Sequence, residues 1–223
     1  GTGNAVARCD PTCEKATPEN PQIFRSCKFK NNISAQYAQS TAEGIQNHKE
    51  AISMNYEQAM EYIHAVQWAG HKPGLSRTRT LLAALGDPHK RLRFVHVAGT
   101  NGKGTVCAAV ADGLRRAGYR VGVFSSPWVT DFREQITVDG RMISKQDFAD
   151  CVEVFAKEPL TEFELITAVM YLYFYRCGVD YAVVECGMGG AGDCTNVLAH
   201  PAVCAFAKVA LDHTAFLGDT VEA

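Results

Sequence analysis

LRFVHVAGTNGKGT, residues 92–105, joins a short apolar run to a glycine-rich turn and then to a helix-forming segment. Leu92–Ala98 has the length and near-continuous apolar character of a strand buried on both faces of a parallel sheet. In Gly99-Thr100-Asn101-Gly102-Lys103-Gly104-Thr105, three glycines let the backbone turn tightly and aim its amides at one point. The helix that follows, Thr105–Ala117 and stopped by Gly118, adds the positive end of its dipole, and Lys103 adds a full charge. The segment reads as a phosphate cradle. It is not the strict GxxxxGK[ST] motif, because the hydroxyl residue stands two places after the lysine, with Gly104 between.

On both sides of this stretch, strand and helix patterns alternate. Upstream, Tyr56, Ala59, Met60, Ile63 and Val66 follow helical spacing in a helix that Gly70 is expected to end. Ser76 is placed to cap a second helix bearing Leu81, Leu82 and Leu85, closed by Gly86 and Pro88. Downstream come a strand at Arg120–Phe124 and a small hairpin about Asp139-Gly140. Helices at Lys145–Ala156 and Glu162–Cys177 follow, then buried strands at Tyr181–Glu185 and Ala202–Ala207. Such alternation implies an α/β fold with a mostly parallel sheet flanked by helices. Four main strands are expected. The last segment, DHTAFLGDTVEA, reads as a loop entering a helix that breaks off early, so the domain is expected to be truncated at its C-terminus.

Chemistry-bearing residues fall where these strands end. YAVVE delivers Glu185 to the carboxyl edge of the sheet, where such folds bind ligands, and Gly187, Gly189 and Gly190 follow it. Mg²⁺ takes one or two carboxylates together with phosphate oxygens, so one glutamate here suffices. Asp212-His213 follows the strand at 202–207, and Ser125-Ser126-Pro127 ends the strand at 120–124. Lysine, hydroxyls, carboxylate and imidazole converging on one edge suit a nucleotide and magnesium.

Composition bounds the alternatives. In 223 residues, 22 Lys+Arg against 24 Asp+Glu leave a net charge of −2, without the basic surplus that phosphate-backbone binding to nucleic acid requires. No apolar run approaches the roughly 18 residues of a membrane span, and the N-terminus has no apolar signal core. Residues 1–53 lack helical or strand periodicity. They read either as a genuine, poorly ordered extension or as translated upstream sequence ahead of Met54, with the ordered domain at 54–223. The nine cysteines are scattered, and Cys9 and Cys13 have no second pair to complete a zinc site, so reduced thiols in a cytoplasmic protein are expected.

Five segments together resemble the folylpolyglutamate synthase/dihydrofolate synthase family of the Mur ligase superfamily: PGLSRTRTLLAALGDP, HVAGTNGKGT, VGVFSSP, YAVVECGMGG followed by DCTN, and LDHTAFLGDTVE. The resemblance runs from Met54 to the end, about 170 residues. It implies a P-loop NTPase-like Mur ligase central domain, here the N-terminal part of the ATP-binding domain without the C-terminal glutamate-binding domain. It further implies ligation of L-glutamate to a folate carboxylate through an acyl phosphate, with ATP and Mg²⁺, in a monomer that uses small-molecule substrates and neither nucleic acid nor membrane. Lys103 and the loop Gly99–Thr105 would hold the ATP phosphates, with Thr105 and Glu185 on one magnesium ion and Ser126, Glu185 and His213 on a second. Trp128, Glu134 and Gln135 would lie in the loop that touches the pterin, and Asp193 and Asn196 near the folate pocket. Two departures fall on the folate side: Trp128 stands where the family usually has His, and Gln135 where it usually has Arg. A Mur-type peptidoglycan-precursor ligase and an inactive nucleotide-binding fragment are the alternative readings.

Overall fold

The apolar run folds as β1 (Arg93–Ala98), and every other element is placed relative to it. The computed structural model describes residues 54–66, 75–156, 158–198 and 201–221. The expectations for residues 1–53, including Cys9 and Cys13, and for Gly70 lie outside these residues. In chain order the remaining elements are α1 (Tyr56–Ala65), α2 (Leu75–Ala84), α3 (Lys103–Arg116), β2 (Val121–Phe124), β3 (Ile136–Val138), β4 (Arg141–Met142), α4 (Lys145–Phe155), α5 (Glu162–Cys177), β5 (Tyr181–Glu185), β6 (Val203–Phe206) and α6 (Thr214–Leu217). Short 3₁₀ turns at Pro88–Arg91, Phe132–Gln135 and Cys194–Asn196 link them.

The strands form one sheet in the order β4-β3-β2-β5-β1-β6. β1 pairs in parallel with β5 and β6, and β2 in parallel with β5. Among the described residues the sheet therefore has six strands rather than four. The hairpin at Asp139-Gly140 does not stand apart: β3 pairs antiparallel with β2 and extends the sheet. Asp139 and Gly140 adopt φ of 51° and 78°, the left-handed pair that matches a two-residue hairpin to strand twist. The opposite edge departs from expectation too. β6 is not buried, since among the described residues it pairs only with β1; Val203 is 52% exposed and Phe206 77%.

Strand alternation gives the sheet two unlike faces. Val95, Val97, Val121 and Val183 face α3, where Cys107 and Ala111 meet them. Phe94, Phe124, Ala182 and Val184 face the larger core built from α1, α4 and α5. α5 is buried nearly all round, from Glu164 to Phe174, as a helix in the middle of a layer must be. Local signals set the helix ends. Asn55 and Gln58 form a reciprocal cap on α1, Ser144 caps α4, Thr161 and Glu164 cap α5, and Gly178 closes α5 at φ 61°. Ser76 is not a cap, because α2 begins at Leu75; its carbonyl instead accepts from the Thr80 hydroxyl at 3.0 Å.

Among the described residues Cys107, Cys151, Cys177, Cys186, Cys194 and Cys204 are free, and burial pushes the Cys107, Cys151 and Cys186 thiols up to about 12. No described helix is long and apolar enough to cross a membrane.

Candidate active site

The loop between β1 and α3 is pressed against the chain that leaves β6. Gly99 sits at φ 132°, and a Cβ there would fall 3.0 Å from the carbonyl carbon of Ala207, so only glycine fits. The Thr100 and Asn101 amides donate to the Lys208 carbonyl at 2.8 and 3.2 Å. The Thr100 hydroxyl donates to the Ala210 carbonyl at 2.9 Å and accepts from the Ala210 amide at 3.0 Å. Thr100 and Asn101 thus stitch the loop to residues 208–210. The open amides lie further on. Gly102, at φ 89°, is the N-cap of α3 and offers no side-chain acceptor, which leaves the first-turn amides of Lys103, Gly104 and Thr105 at the positive end of the helix. Lys103 Nζ donates to the Thr100 carbonyl at 3.2 Å, which holds the ammonium beside the loop. Thr105 is exposed on the same turn.

Glu185 shares its strand face with Val183, which puts it on the α3 side of the sheet. Its carboxylate is buried and accepts from the Ser126 amide at 3.3 Å. A Cβ at Gly104 would lie 3.5 Å from its Oε2, so the acid stands against the first turn of α3. Burial pushes its pKa up, and the Ser126 amide and the Lys103 charge act against that. His213 takes φ 48° at the start of α6; its amide donates to Asp212 Oδ1 at 2.8 Å, and its exposed ring has Nε2 3.9 Å from Asp212 Oδ2.

Among the described residues no three His, Cys, Asp or Glu side chains gather as a metal cage. The donor set here is different: one buried carboxylate with serine and threonine hydroxyls near open amides. It fits a hard cation that completes its oxygen shell with phosphate oxygens and water.

A cavity of about 1400 Å³ opens over this edge. Gly99, Thr100, Lys103, Ser126, Trp128, Gln135, Asp193 and His213 line it, whereas Asn101, Gly102, Gly104, Thr105, Glu134, Glu185 and Asn196 do not. Trp128 is 45% exposed and lies 6.1 Å, ring to ring, from Phe132. Two expected substrate residues make hydrogen bonds within their own loops. Glu134 accepts from the Val129, Thr130 and Asp131 amides and from the Thr130 hydroxyl, so its carboxylate organises the 129–134 turn. Asn196 Nδ2 donates to the Ala191 carbonyl at 3.4 Å. Asp193 is buried in the wall. Its Oδ1 accepts from the Thr195 amide at 2.9 Å and the Thr195 hydroxyl at 2.5 Å, and its Oδ2 from the Met188 amide at 2.8 Å.

Sequence reasoning did not single out Thr161, Phe163 and His64, which also line the cavity, or His96 and Thr195, which lie beneath it. A polar residue inside the apolar run LRFVHVA was the available signal for His96.

A glycine loop and helix N-terminus at the carboxyl edge of a mainly parallel sheet, with a buried acid on the neighbouring strand, define an α/β protein whose sheet edge is suited to an anionic ligand. No family model matches the chain. It is 43% identical over 177 residues to a probable bifunctional folylpolyglutamate synthase/dihydropteroate synthase of Haloferax volcanii, which covers 75% of the chain and 21% of that relative. It is 40% identical over 178 residues to a dihydrofolate synthase/folylpolyglutamate synthase of Bacillus subtilis, covering 75% of the chain and 41% of that relative. A solved FPGS–AMPPCP–folate complex superposes with a TM-score of 0.71 at 39% identity, over 75% of the chain and 43% of that structure. The chain belongs to the folylpolyglutamate synthase/dihydrofolate synthase family and spans less than half the length of these relatives.

Proposed function

We propose that this chain forms the nucleotide-binding part of an ATP- and Mg²⁺-dependent ligase that joins L-glutamate to the carboxylate of a folate through an acyl phosphate. The single observation that carries the reading is the buried Glu185 carboxylate set against the uncapped first turn of α3, with Lys103 beside it. The family relationship and the AMPPCP and folate in a similar solved structure support the same ligands here.

The chemical obstacle is electrostatic. A folate carboxylate and the terminal phosphate of ATP are both anionic, and two unit charges 4 Å apart repel by about 4 kcal/mol at an effective dielectric near 20. Left uncompensated, that is roughly a thousandfold in rate. The amides of Lys103, Gly104 and Thr105 receive phosphate oxygens, and the Lys103 ammonium supplies a positive charge where negative charge accumulates. Glu185 and the Thr105 hydroxyl would hold one magnesium ion, and Glu185 with Ser126 and His213 a second; Ser126 and His213 line the cavity. When bound, magnesium neutralises phosphate charge and polarises the phosphoryl oxygen. No serine or cysteine nucleophile is needed: the described thiols near the loop are buried and protonated, and the folate carboxylate is itself the nucleophile. The glutamate amine then attacks the acyl phosphate, and phosphate leaves.

Calorimetric titration of the 223-residue chain with AMPPCP in the presence of Mg²⁺ tests this. Saturable binding is expected, reduced at least tenfold by Lys103→Ala. Absence of binding by the unaltered chain would remove the reading.

A further inference from the structure

His96 is a buried titratable group that the proposed chemistry leaves unused. It sits mid-way along β1, on the same face as Phe94 and opposite to Val95 and Val97. Its Nε2 lies 2.9 Å from the Thr195 hydroxyl, and that hydroxyl lies 2.5 Å from Asp193 Oδ1. All three residues are buried.

The direction of this chain follows from proton counting. Asp193 Oδ1 and Oδ2 each accept from a backbone amide, so both carboxyl oxygens act as acceptors and the single Thr195 hydrogen goes to Asp193. The hydroxyl oxygen can then only accept from His96, so Nε2 must carry a proton. Thr195 is held from other sides as well: its amide donates to Asp193 Oδ1 at 2.9 Å, and its carbonyl accepts from the Tyr171 hydroxyl at 2.7 Å. Asp193 Oδ2 accepts from the Met188 amide, which ties the carboxylate to the glycine loop at 187–192. Burying polar side chains under a sheet is costly unless they are hydrogen-bonded, and these three bond one another. Here the network ends on an acid in the cavity wall, on the sheet face opposite Glu185.

We propose that His96 is a positioning residue: through the Thr195 hydroxyl it fixes the Asp193 carboxylate and the 187–192 loop that wall the non-nucleotide side of the cavity. This rests on the reading that a folate-type ligand occupies that side. The nucleotide side is built on the other face of the sheet, so the two ligands should respond differently to the network.

The test uses the 223-residue chain with folate and AMPPCP as separate calorimetric probes, together with ¹⁵N NMR of the histidine rings. Thr195→Val keeps the shape and removes the hydroxyl; Thr195→Ser and His96→Gln each restore a donor in place and guard against a folding defect. Expected are an Nε2-protonated His96 ring whose resonance moves in Thr195→Val, about tenfold weaker folate binding in that variant, unchanged AMPPCP binding, and recovery in the two restoring variants. An Nδ1-protonated ring, undiminished folate binding in Thr195→Val, or equal weakening of both ligands would each overturn the positioning role while leaving the ligase reading standing. Failure of the unaltered chain to bind folate, with the ring state as expected, would overturn the folate reading and the role that rests on it.

Discussion

The Ser126 amide, at the end of β2, donates to the Glu185 carboxylate at the end of β5 over 3.3 Å. These strands are parallel neighbours, paired up to Phe124 and Val184, so the contact joins two residues at one level of the sheet edge. It is the only protein hydrogen bond the carboxylate makes among the described residues. Burial meanwhile pushes its pKa up. An acid held this way costs stability in the isolated chain, a cost that a bound cation would offset.

Glu185→Gln is therefore expected to stabilise the ligand-free chain at neutral pH and to abolish magnesium-dependent binding. The sign follows from linkage. With the folded-state pKa above the usual 4.5, the folded chain loses stability as pH rises from there through the folded value. A gain of about 1 kcal/mol corresponds to about 2–4 °C in a domain of this size. Thermal melts of both proteins at pH 4 and pH 7.5 would show it. A variant less stable at pH 7.5 than the parent would contradict the account.

Arg77 and Glu164 form the main ion pair between α2 and α5. Guanidinium nitrogens lie 2.9–3.2 Å from a carboxylate that is 3% exposed, while the arginine side chain is 29% exposed. Glu164 also accepts from the Thr161 amide and hydroxyl, so losing Arg77 does not strip it bare. Arg77→Ala is expected to cost about 2 kcal/mol, between the values for exposed and fully buried pairs. Arg77→Lys, which keeps the charge but not the fork, should cost about half as much. Urea unfolding midpoints would rank the three proteins, and equal midpoints would refute the assignment.

Much of this was readable beforehand where residues report on their own neighbourhood. Apolar runs bounded by glycine marked β1, β2 and β5, and the glycines about Lys103 marked the turn between β1 and α3, because strand length, helix ends and turns are local properties. Contacts between distant residues were not readable. His96 reaches Thr195 across 99 positions and Arg77 reaches Glu164 across 87, and nothing in either segment names its partner. The hairpin at Asp139-Gly140 was legible as a turn but not as the extension of β2, since periodicity gives a strand and not its neighbour. Nor did the sequence show that Glu134 accepts from amides three to five positions away and so organises its own turn.

Gly99→Ala and Gly113→Ala should behave oppositely. The first would force a side chain at φ 132° to within 3.0 Å of Ala207, which backbone strain puts at about 1–3 kcal/mol, and it displaces the loop that leads to Lys103. The second lies within α3 with nothing within 4 Å of the added carbon, and should be neutral or stabilising by up to about 1 kcal/mol. Melting temperature and AMPPCP affinity should fall together for Gly99→Ala and stay level or rise for Gly113→Ala. Equal effects would show that the approach to Ala207 does not constrain the loop.

Acid should destabilise the fold earlier than its carboxylates require. His89 is buried edge-on to Tyr171, ring centres 5.9 Å apart, and its Nδ1 is buried without a hydrogen-bond partner among the described residues. Burial lowers its pKa below the usual 6.5; Asp87 opposes this, and Lys90 and Arg79 add to it. Burial lowers His96 likewise, against the pull of Asp193. Both rings therefore stay neutral in the fold, while the unfolded chain binds a proton near pH 6.5. Their contribution is complete above that pH and is lost as pH falls towards the folded-state values, at up to about 1.4 kcal/mol per pH unit for each ring. His89→Phe keeps the aromatic contact and removes one titrating group, so its stability between pH 7.5 and 5.5 should fall less steeply than that of the parent. Denaturant titrations at half-unit intervals would measure the two slopes, and identical slopes would exclude His89 as a source of acid sensitivity.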